Sequence, residues 1–143
     1  MDIMAQVVFL QSGPKKSEPM IPSPSLTLIE GLGIEGDRRA KRGSSRQVLL
    51  MAEENCDLFG LAPGEVRENI VTRGIDVQAL PPGTRLAIGD AVIEITKDCE
   101  PCRFIDTLRP GLQTRIAGRR GMLARVVRSG KIRVGDGIVA LKP

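Results

Sequence analysis

The chain has 143 residues, of which 41% are hydrophobic and 27% charged, a size and composition that fit one globular domain and exclude a disordered or collagen-like chain. It contains no histidine, tryptophan or tyrosine, which excludes histidine or tyrosine catalysis and histidine-containing metal sites, and leaves almost no aromatic surface for stacking nucleic-acid bases. The net charge of +4 is uneven, because residues 100–143 carry ten basic and three acidic residues.

Short apolar runs separated by glycine and proline predict a mainly β fold. The predicted strands are residues 6–11, 25–30, 47–51, 85–88, 91–96, 122–127 and 137–141. Gly89-Asp90 is typical of a two-residue hairpin, and residues 134–137 mark a second tight turn. Residues 52–59 predict a short helix that ends at Gly60, and residues 102–116 predict one or two short helices interrupted at Pro110-Gly111. We therefore predict a closed or partly closed β-barrel with a few short helices, formed by residues 1–143 as a single domain.

The remaining connections are typical of surface segments. Residues 12–25 contain four prolines and predict a long loop within the domain. No apolar run approaches the roughly 20 residues that a membrane-spanning helix requires, and residues 7–10 are too few for the apolar part of a signal peptide. We expect a cytoplasmic protein that binds neither membrane nor nucleic acid.

The cysteine segment is the first candidate for chemistry. Cys99 and Cys102 follow a predicted strand in C-x-x-C spacing, and Arg103 comes directly after them. The spacing is compatible with a redox dithiol, with half of a metal site, or with one reactive thiolate among arginines. A closed zinc site needs four ligands, and without histidine the chain offers only one further cysteine, Cys56. Two small apolar side chains packed beside a turn would give the same spacing.

Three polar segments are candidates for binding an anion. Residues 31–39 are rich in glycine, which lets backbone N–H groups approach a ligand closely, although no apolar helix follows as in a dinucleotide-binding loop. Residues 67–74 place arginine, glutamate and asparagine beside a further predicted strand, and residues 119–121 add a basic cluster. Fifteen of the 21 basic residues are arginines, which favours bidentate recognition of phosphate or carboxylate. Turn-rich connections and charged strand edges explain the same segments without a ligand.

Several segments carry a resemblance to a known family when they are taken in order. They are residues 33–38, 46–50, 63–64, 67–70, 72–76, 80–86, 88–91, 100–102, 119–121, 124–127 and 134–136. Together they resemble the MOSC domain, named after the C-terminal part of molybdenum cofactor sulfurases, over about residues 25–141. The resemblance implies a stand-alone MOSC domain with a β-barrel and short helices.

The resemblance also implies a function. MOSC domains are associated with the molybdenum cofactor, a pterin with a phosphate and a dithiolene, and with one cysteine that carries sulfur as a persulfide or ligates molybdenum. The matching position is Cys102, the implied catalytic residue and molybdenum ligand, and a thiolate suits both roles. The implied cofactor-binding residues are Gly36, Asp37, Arg38, Arg46, Glu68, Asn69, Thr72, Arg73, Arg103, Arg119 and Arg120. Sulfur is expected from a partner cysteine desulfurase that uses pyridoxal phosphate, with a reductase as another expected partner.

This chain departs from the family pattern at three positions. Arg39 stands where many members have histidine, so a proton transfer assigned to that position would be lost. Arg67 stands where many members have glycine, which places a bulky charge next to the cofactor-binding segment. Cys99 is an additional cysteine, able to form a disulfide with Cys102 or to attack a persulfide on it as a resolving thiol.

Three other functions remain open from the residues alone. The first is a non-catalytic β-barrel that binds an anionic metabolite or a partner protein through its arginines. The second is a basic barrel that binds nucleic acid, against which the lack of aromatics counts. The third is a thiol-redox protein built on Cys99 and Cys102. Each function has its own test. Unchanged ligand affinity after thiol alkylation would favour the first, salt-dependent oligonucleotide binding the second, and a measurable dithiol–disulfide potential the third.

Overall fold

The computed structural model describes residues 5–142. This part of the chain forms a mainly β fold with three short α-helices. The strands are β1 (Gln6–Ser12), β2 (Ile21–Pro22), β3 (Ser25–Ile29), β4 (Gly33–Ile34), β5 (Val48–Ala52), β6 (Ile70–Arg73), β7 (Arg85–Ile88), β8 (Ala91–Asp98), β9 (Met122–Arg128), β10 (Gly130–Arg133) and β11 (Ile138–Ala140). The helices are α1 (Glu53–Leu58), α2 (Arg103–Leu108) and α3 (Leu112–Arg115). The predicted fold class is confirmed.

Eight strands form one curled sheet in the order β11-β7-β8-β9-β5-β6-β1-β2. Adjacent strands in this sheet are antiparallel except for β5 and β6, which run parallel. Residues 5–7 also bind residues 135–138: the N–H of Val7 donates to the carbonyl of Asp136 at 2.9 Å and that of Ile138 to Ala5 at 2.9 Å. β1 therefore contacts β6 on one side and the start of β11 on the other, which bends the sheet into a barrel.

A second sheet of three strands, β10-β3-β4, packs against the first. Its apolar side chains Leu26, Leu28 and Ile132 are buried in the same core as those of β5, β7 and β8. β3 contacts β1 and β9, and β10 contacts β8. The small sheet therefore covers one side of the barrel core.

β5 is buried on both faces, because the barrel core lies on one face and the helices pack on the other. Its alternating side chains divide accordingly: Val48, Leu50 and Ala52 belong to the barrel core, whereas Met51 packs with Ile105 and the other apolar residues of α1–α3. The helices thus lie over the outer face of β5 and β6. This packing places the segment that contains Cys102 beside the start of β6.

The predicted strands are all present, with ends within two residues of the prediction, and the strand expected near residues 67–74 is β6. The helix predicted at residues 52–59 is α1, and the break at Pro110-Gly111 separates α2 from α3. Three strands were not predicted: β2, β4 and β10. β2 and β4 have two residues each, and β10 has only one apolar residue, Ile132, so none shows an alternating pattern.

The segment predicted as a long loop, residues 12–25, is mostly irregular, but β2 within it pairs with the end of β1. Within residues 5–142, none of the helices is both long and apolar enough to cross a membrane.

A glycine at the start of β9 permits a close backbone approach. Gly121 has φ +117°, and a Cβ there would lie 2.6 Å from the carbonyl oxygen of Leu50 on β5. Because both the conformation and the space disfavour a side chain, Gly121→Ala should lower the free energy of unfolding by about 3 kcal/mol. Gly118→Ala is the matched control, with φ +80° but nothing within 4 Å of its Cβ. Equal losses in denaturant unfolding of the two variants would contradict the close approach.

Candidate functional site

A buried asparagine joins three segments at one end of β6. Asn69 is 0% exposed, and its Oδ1 accepts a hydrogen bond from the N–H of Leu49 at 3.0 Å. Its Nδ2 donates to the carbonyl of Gln11 at 3.3 Å and to Oδ1 of Asp37 at 3.2 Å. One side chain therefore ties β5, β1 and the loop after β4 together.

Asp37 fixes the conformation of that loop. Its Oδ1 accepts the N–H of Gly13 at 2.8 Å, and its Oδ2 accepts the N–H of Arg39 at 3.0 Å. The N–H of Arg38 donates to the carbonyl of Gly13 at 2.8 Å. The backbone of residues 37–39 is thus held by three hydrogen bonds, which fix the positions of the Cα atoms of Arg38 and Arg39.

Four arginines lie close enough for their charges to interact, and we refer to Arg67, Arg38, Arg39 and Arg120 as the arginine row. Burial lowers the pKa of Arg39, and the charges of Arg38 and Arg120 lower it further. Burial also lowers the pKa of Arg67, with a second contribution from Arg38. Neighbouring cations that reduce each other's pKa form a surface that favours an anion.

The inner end of the arginine row is buried. Arg120 is 4% exposed, and its Nη2 donates to the carbonyl of Val66 at 2.8 Å. Its Nε and Nη1 have no hydrogen-bond partner among the described residues. Since buried donors are almost always paired in folded proteins, these two nitrogens are available to an acceptor from a ligand or water.

Glu68 lies beside Arg120 in the interior. It is 0% exposed, and its Oε2 lies 4.0 Å from Sγ of Cys56. Burial raises the pKa of Glu68 to about 7, although nearby backbone N–H groups and Arg120 oppose the shift. Burial, followed by the charge of Glu68, raises the pKa of Cys56 to about 12. The Cys56 thiol therefore stays protonated at neutral pH.

The three cysteines are free and differ in exposure. Cys56 and Cys99 are each 4% exposed, whereas Cys102 is exposed in the residue before α2. The backbone N–H of Cys99 donates to the carbonyl of Gly121 at 2.9 Å. The disulfide between Cys99 and Cys102, one of the two roles considered for Cys99, is not formed in the structure, where both thiols are free.

The cysteine segment runs along the arginine row. At one end Cys99 interacts with the charge of Arg39. At the other end the guanidinium of Arg67 lies over the ring of Phe104, 4.9 Å from its centroid. Cys102 is exposed and lies between these two residues in the chain, so its segment adjoins the arginine row.

The sequence-predicted site residues separate into two groups. Asp37, Arg38, Glu68, Asn69 and Arg120 come together around the arginine row. Gly36 is an exposed residue next to this group in the chain, and Arg103 is an exposed residue next to Cys102. The others lie elsewhere, as follows. Arg73 is ion-paired with Glu53 at 2.8 Å, and Thr72 is buried opposite Ala52 in the barrel. Arg46 is exposed, and its backbone N–H donates to Oγ of Ser44. Arg119 lines a separate cavity of about 560 Å³.

Arg39 and Arg67 lie in two segments predicted to bind an anion and were named individually only as departures from a family, but both belong to the arginine row. Their position next to predicted site residues was the available signal. Cys56 was considered only as a zinc ligand, and nothing in the sequence placed it against Glu68.

Within residues 5–142 there is no cluster of three or more cysteine, aspartate and glutamate side chains that could hold a metal ion.

Removing the Asn69 side chain should destabilise the protein strongly. Asn69→Ala deletes three hydrogen bonds and leaves the buried N–H of Leu49 without this partner, so we expect a loss of about 3 kcal/mol or more in the free energy of unfolding. The control is Asn55→Ala, at a half-buried position on α1. This variant should change the free energy of unfolding by about 0.5 kcal/mol or less. Similar losses would show that Asn69 does not join the segments.

Stability should depend on pH through Glu68. Because its pKa is about 7 when folded against an ordinary value of 4.5, the folded protein holds a proton that the unfolded chain releases between these values. The associated stability is present below about pH 4.5 and is lost as pH rises through 7, by about 3 kcal/mol. Glu68→Gln should remove this decrease in urea unfolding measured from pH 5 to 8. Parallel curves for wild type and variant would contradict it.

Comparison with known proteins places this fold and site in a family. The model of the MOSC domain family matches residues 37–139, which include the arginine row and Cys102. Solved structures with the same fold include YuaD of Bacillus subtilis, with TM-score 0.79 and 23% identity over 95% of this chain and 94% of YuaD. YiiM of Geobacillus stearothermophilus has TM-score 0.76 and 18% identity over 96% and 75% of the two chains. YiiM of Escherichia coli has TM-score 0.69 and 19% identity over 100% and 71%.

No curated protein is significantly similar to the chain in sequence. The family model nevertheless covers well over half of the chain. At the level of the family, MOSC domains are related to binding of the molybdenum cofactor. The chain belongs to the MOSC domain family.

Proposed function

We propose that the chain binds a molybdopterin-type ligand and that Cys102 carries sulfur as a persulfide or ligates molybdenum. The observation that supports this most directly is the position of Cys102. It is the exposed member of the three cysteines. Its segment contacts the arginine row through Phe104, whose ring lies under Arg67, and the charge of Cys99 influences Arg39.

The arginine row supports the proposal that the ligand is anionic. Asp37 uses its carboxylate oxygens to hold Gly13, Arg39 and Asn69, so it does not fully neutralise the arginines nearby. Two nitrogens of Arg120, Nε and Nη1, have no hydrogen-bond partner within residues 5–142. Guanidinium groups bind phosphate oxygens well in such a partly buried place, because charge-assisted hydrogen bonds replace lost hydration. In this proposal Arg38, Arg39 and Arg120 would hold the phosphate of the pterin.

The donor set suits a cofactor whose metal takes few ligands from the protein. Cys102 offers one soft thiolate, and the described residues provide no cluster of further metal ligands beside it. When bound, the cofactor would supply a molybdenum centre with its own dithiolene sulfurs. The residues of this chain would bind its phosphate, orient it by the fixed loop of residues 37–39, and present the Cys102 thiol.

Sulfur loading of Cys102 follows ordinary thiol exchange. The Cys102 thiolate attacks the outer sulfur of a persulfide on a cysteine desulfurase that uses pyridoxal phosphate. A new S–S bond forms on Cys102 while the bond in the desulfurase persulfide breaks, and the desulfurase leaves as a thiolate. No net oxidant is consumed in this step. We propose that the chain works in the cytoplasm with such a desulfurase, or with a reductase.

A non-catalytic anion-binding barrel is the second candidate. Anion binding by the arginine row, including Nε and Nη1 of Arg120, which lack a partner among the described residues, does not itself need a thiol. The two functions predict different effects of thiol alkylation on ligand affinity. Equal ligand affinity before and after alkylation of all thiols would favour the binding module.

Thiol reactivity tests the proposed role of Cys102. Cys102 should react with iodoacetamide first, since Cys56 and Cys99 are buried and the pKa of Cys56 is about 12. Incubation with a cysteine desulfurase and cysteine should add one sulfur atom to wild type, read by intact mass and peptide mapping. Cys102→Ser should lose this sulfur and Cys99→Ser should keep it. If Cys102→Ser acquires sulfur as well as wild type does, Cys102 is not the carrier.

A further inference from the structure

We infer that the surface around Cys102 is a docking surface for a protein whose own contact face is acidic. We define the Cys102 surface by the exposed thiol of Cys102 and the arginines that adjoin it: Arg67, Arg103, Arg115 and Arg119. That the docked protein delivers sulfur rests on the proposed function, whereas the preference for an acidic face does not.

The segment that carries Cys102 is fixed to the chain that runs from α3 to β9. The N–H of Cys99 donates to the carbonyl of Gly121 at 2.9 Å. Nε2 of Gln113, on α3, donates to the carbonyl of Pro101 at 3.4 Å. Cys102 follows Pro101 directly and is exposed. Its thiol therefore lies in the exposed surface that this part of the chain helps to form.

Four arginines adjoin Cys102. Arg103 is the next residue in the chain and is exposed. Arg115 and Arg119 are exposed in the segment that binds residues 99 and 101. The guanidinium of Arg67 lies 4.9 Å from the ring centroid of the phenylalanine two residues after Cys102. A protein that reaches the Cys102 thiol with a cysteine of its own has to contact several of these side chains.

The positive charge of the Cys102 surface is only partly neutralised. Within residues 5–142 none of its four arginines forms an ion pair. Two acidic residues are exposed in the same region, Glu100 and Asp106, and Oδ1 of Asp106 already accepts a backbone N–H of α3 at 2.7 Å. Glu65, which lines a cavity with Arg67, is paired with Arg109 at 3.4 Å. Four cations and two anions leave the surface positive.

The backbone that carries these arginines is held in place. Ile105 on α2 and Leu112 on α3 are 0% exposed and belong to one apolar cluster. Nη2 of Arg109, at the end of α2, donates to the carbonyl of Gly60 at 2.7 Å. Because the helices are already ordered, docking on them costs little backbone entropy. Arginine is also among the residues enriched in protein–protein interfaces.

The exposed thiol favours a protein over a nucleic acid as the partner. Exchange at Cys102 needs a second sulfur atom, which a protein supplies through cysteine and a nucleic acid does not. The Cys102 surface also offers no open aromatic ring for base stacking, since the ring of Phe104 is covered by Arg67. Opposite charge on the partner steers encounter and sets the register of the complex. An acidic face around the partner's cysteine is the complement of this surface.

The test measures how charge on an incoming disulfide changes its reaction with Cys102. Two short peptides carry a cysteine flanked by glutamates or by lysines, each activated as a mixed disulfide with 2-thiopyridine. The Cys102 thiolate attacks the peptide sulfur, a new S–S bond forms, and 2-thiopyridine leaves with the electron pair of the old bond and is read by absorbance. Peptide mapping confirms that Cys102 is the cysteine that reacts.

Wild type should react about tenfold faster with the acidic peptide than with the basic one at about 0.1 M salt, because the arginines attract the former and repel the latter. The ratio of the two rates should approach one at about 1 M salt, where the screening length falls to about 3 Å. Equal rates at low salt, or a ratio that salt leaves unchanged, would overturn the docking surface.

Arg115→Glu reverses one charge of the surface and should lower the ratio of the two rates about threefold or more. The matched control is Arg128→Glu, at the far end of the seven-residue strand β9 from Gly121, which is roughly 20 Å away. It should leave the ratio within about 1.5-fold of wild type. Iodoacetamide is uncharged and should react with Cys102 at a similar rate in all three proteins. Thermal unfolding checks that each variant is folded.

An equal effect of Arg115→Glu and Arg128→Glu would also overturn the inference, because it would show only the net charge of the whole protein. If an equimolar random oligonucleotide blocks the reaction with the acidic peptide, the surface binds nucleic acid instead. The outcome for the proposed function is separate. Sulfur loading by a desulfurase without charge preference would refute the docking surface alone, and charge preference without sulfur loading would refute the sulfur transfer alone.

Discussion

The buried side chain of Asn69 organises the site, because three segments distant in sequence meet on its amide. It pairs with the backbone of β5 and β1 and with the carboxylate of Asp37. Asp37 in turn fixes the loop that carries Arg38 and Arg39. Amide donors and acceptors buried away from water must be paired, so the loop conformation is coupled to the fold of the barrel. The arginines are therefore placed by a structural network.

The site also contains charges that the fold alone does not favour. Arg120 and Glu68 are buried, and each has a side-chain atom with no partner among the described residues. Arg67 adopts a left-handed backbone conformation beside another cation. Such features lower stability unless a ligand supplies the missing contacts. Their concentration at the arginine row is consistent with a binding role for this end of the molecule.

Much of the fold could be predicted from the sequence, because it depends on local patterns. The alternating runs of β7 and β8 and the turn at Gly89-Asp90 specify a hairpin by themselves. β10 could not be found this way, since Ile132 is its one apolar residue and its pairing with β3 joins residues about a hundred positions apart. Of the residues predicted for the site, Arg38, Asn69 and Arg120 lie together in the structure, whereas Arg73 pairs with Glu53 on the surface.

By itself the sequence determined the class of the fold and the family, because these depend on composition, spacing and ordered motifs. Only the tertiary structure decided which arginines share one place and which cysteine is exposed. Those properties depend on contacts between residues far apart in the chain, such as Arg67 with Phe104 and Arg39 with Cys99. Local patterns carry no information on them, since burial and charge interaction are set by how the strands and helices pack.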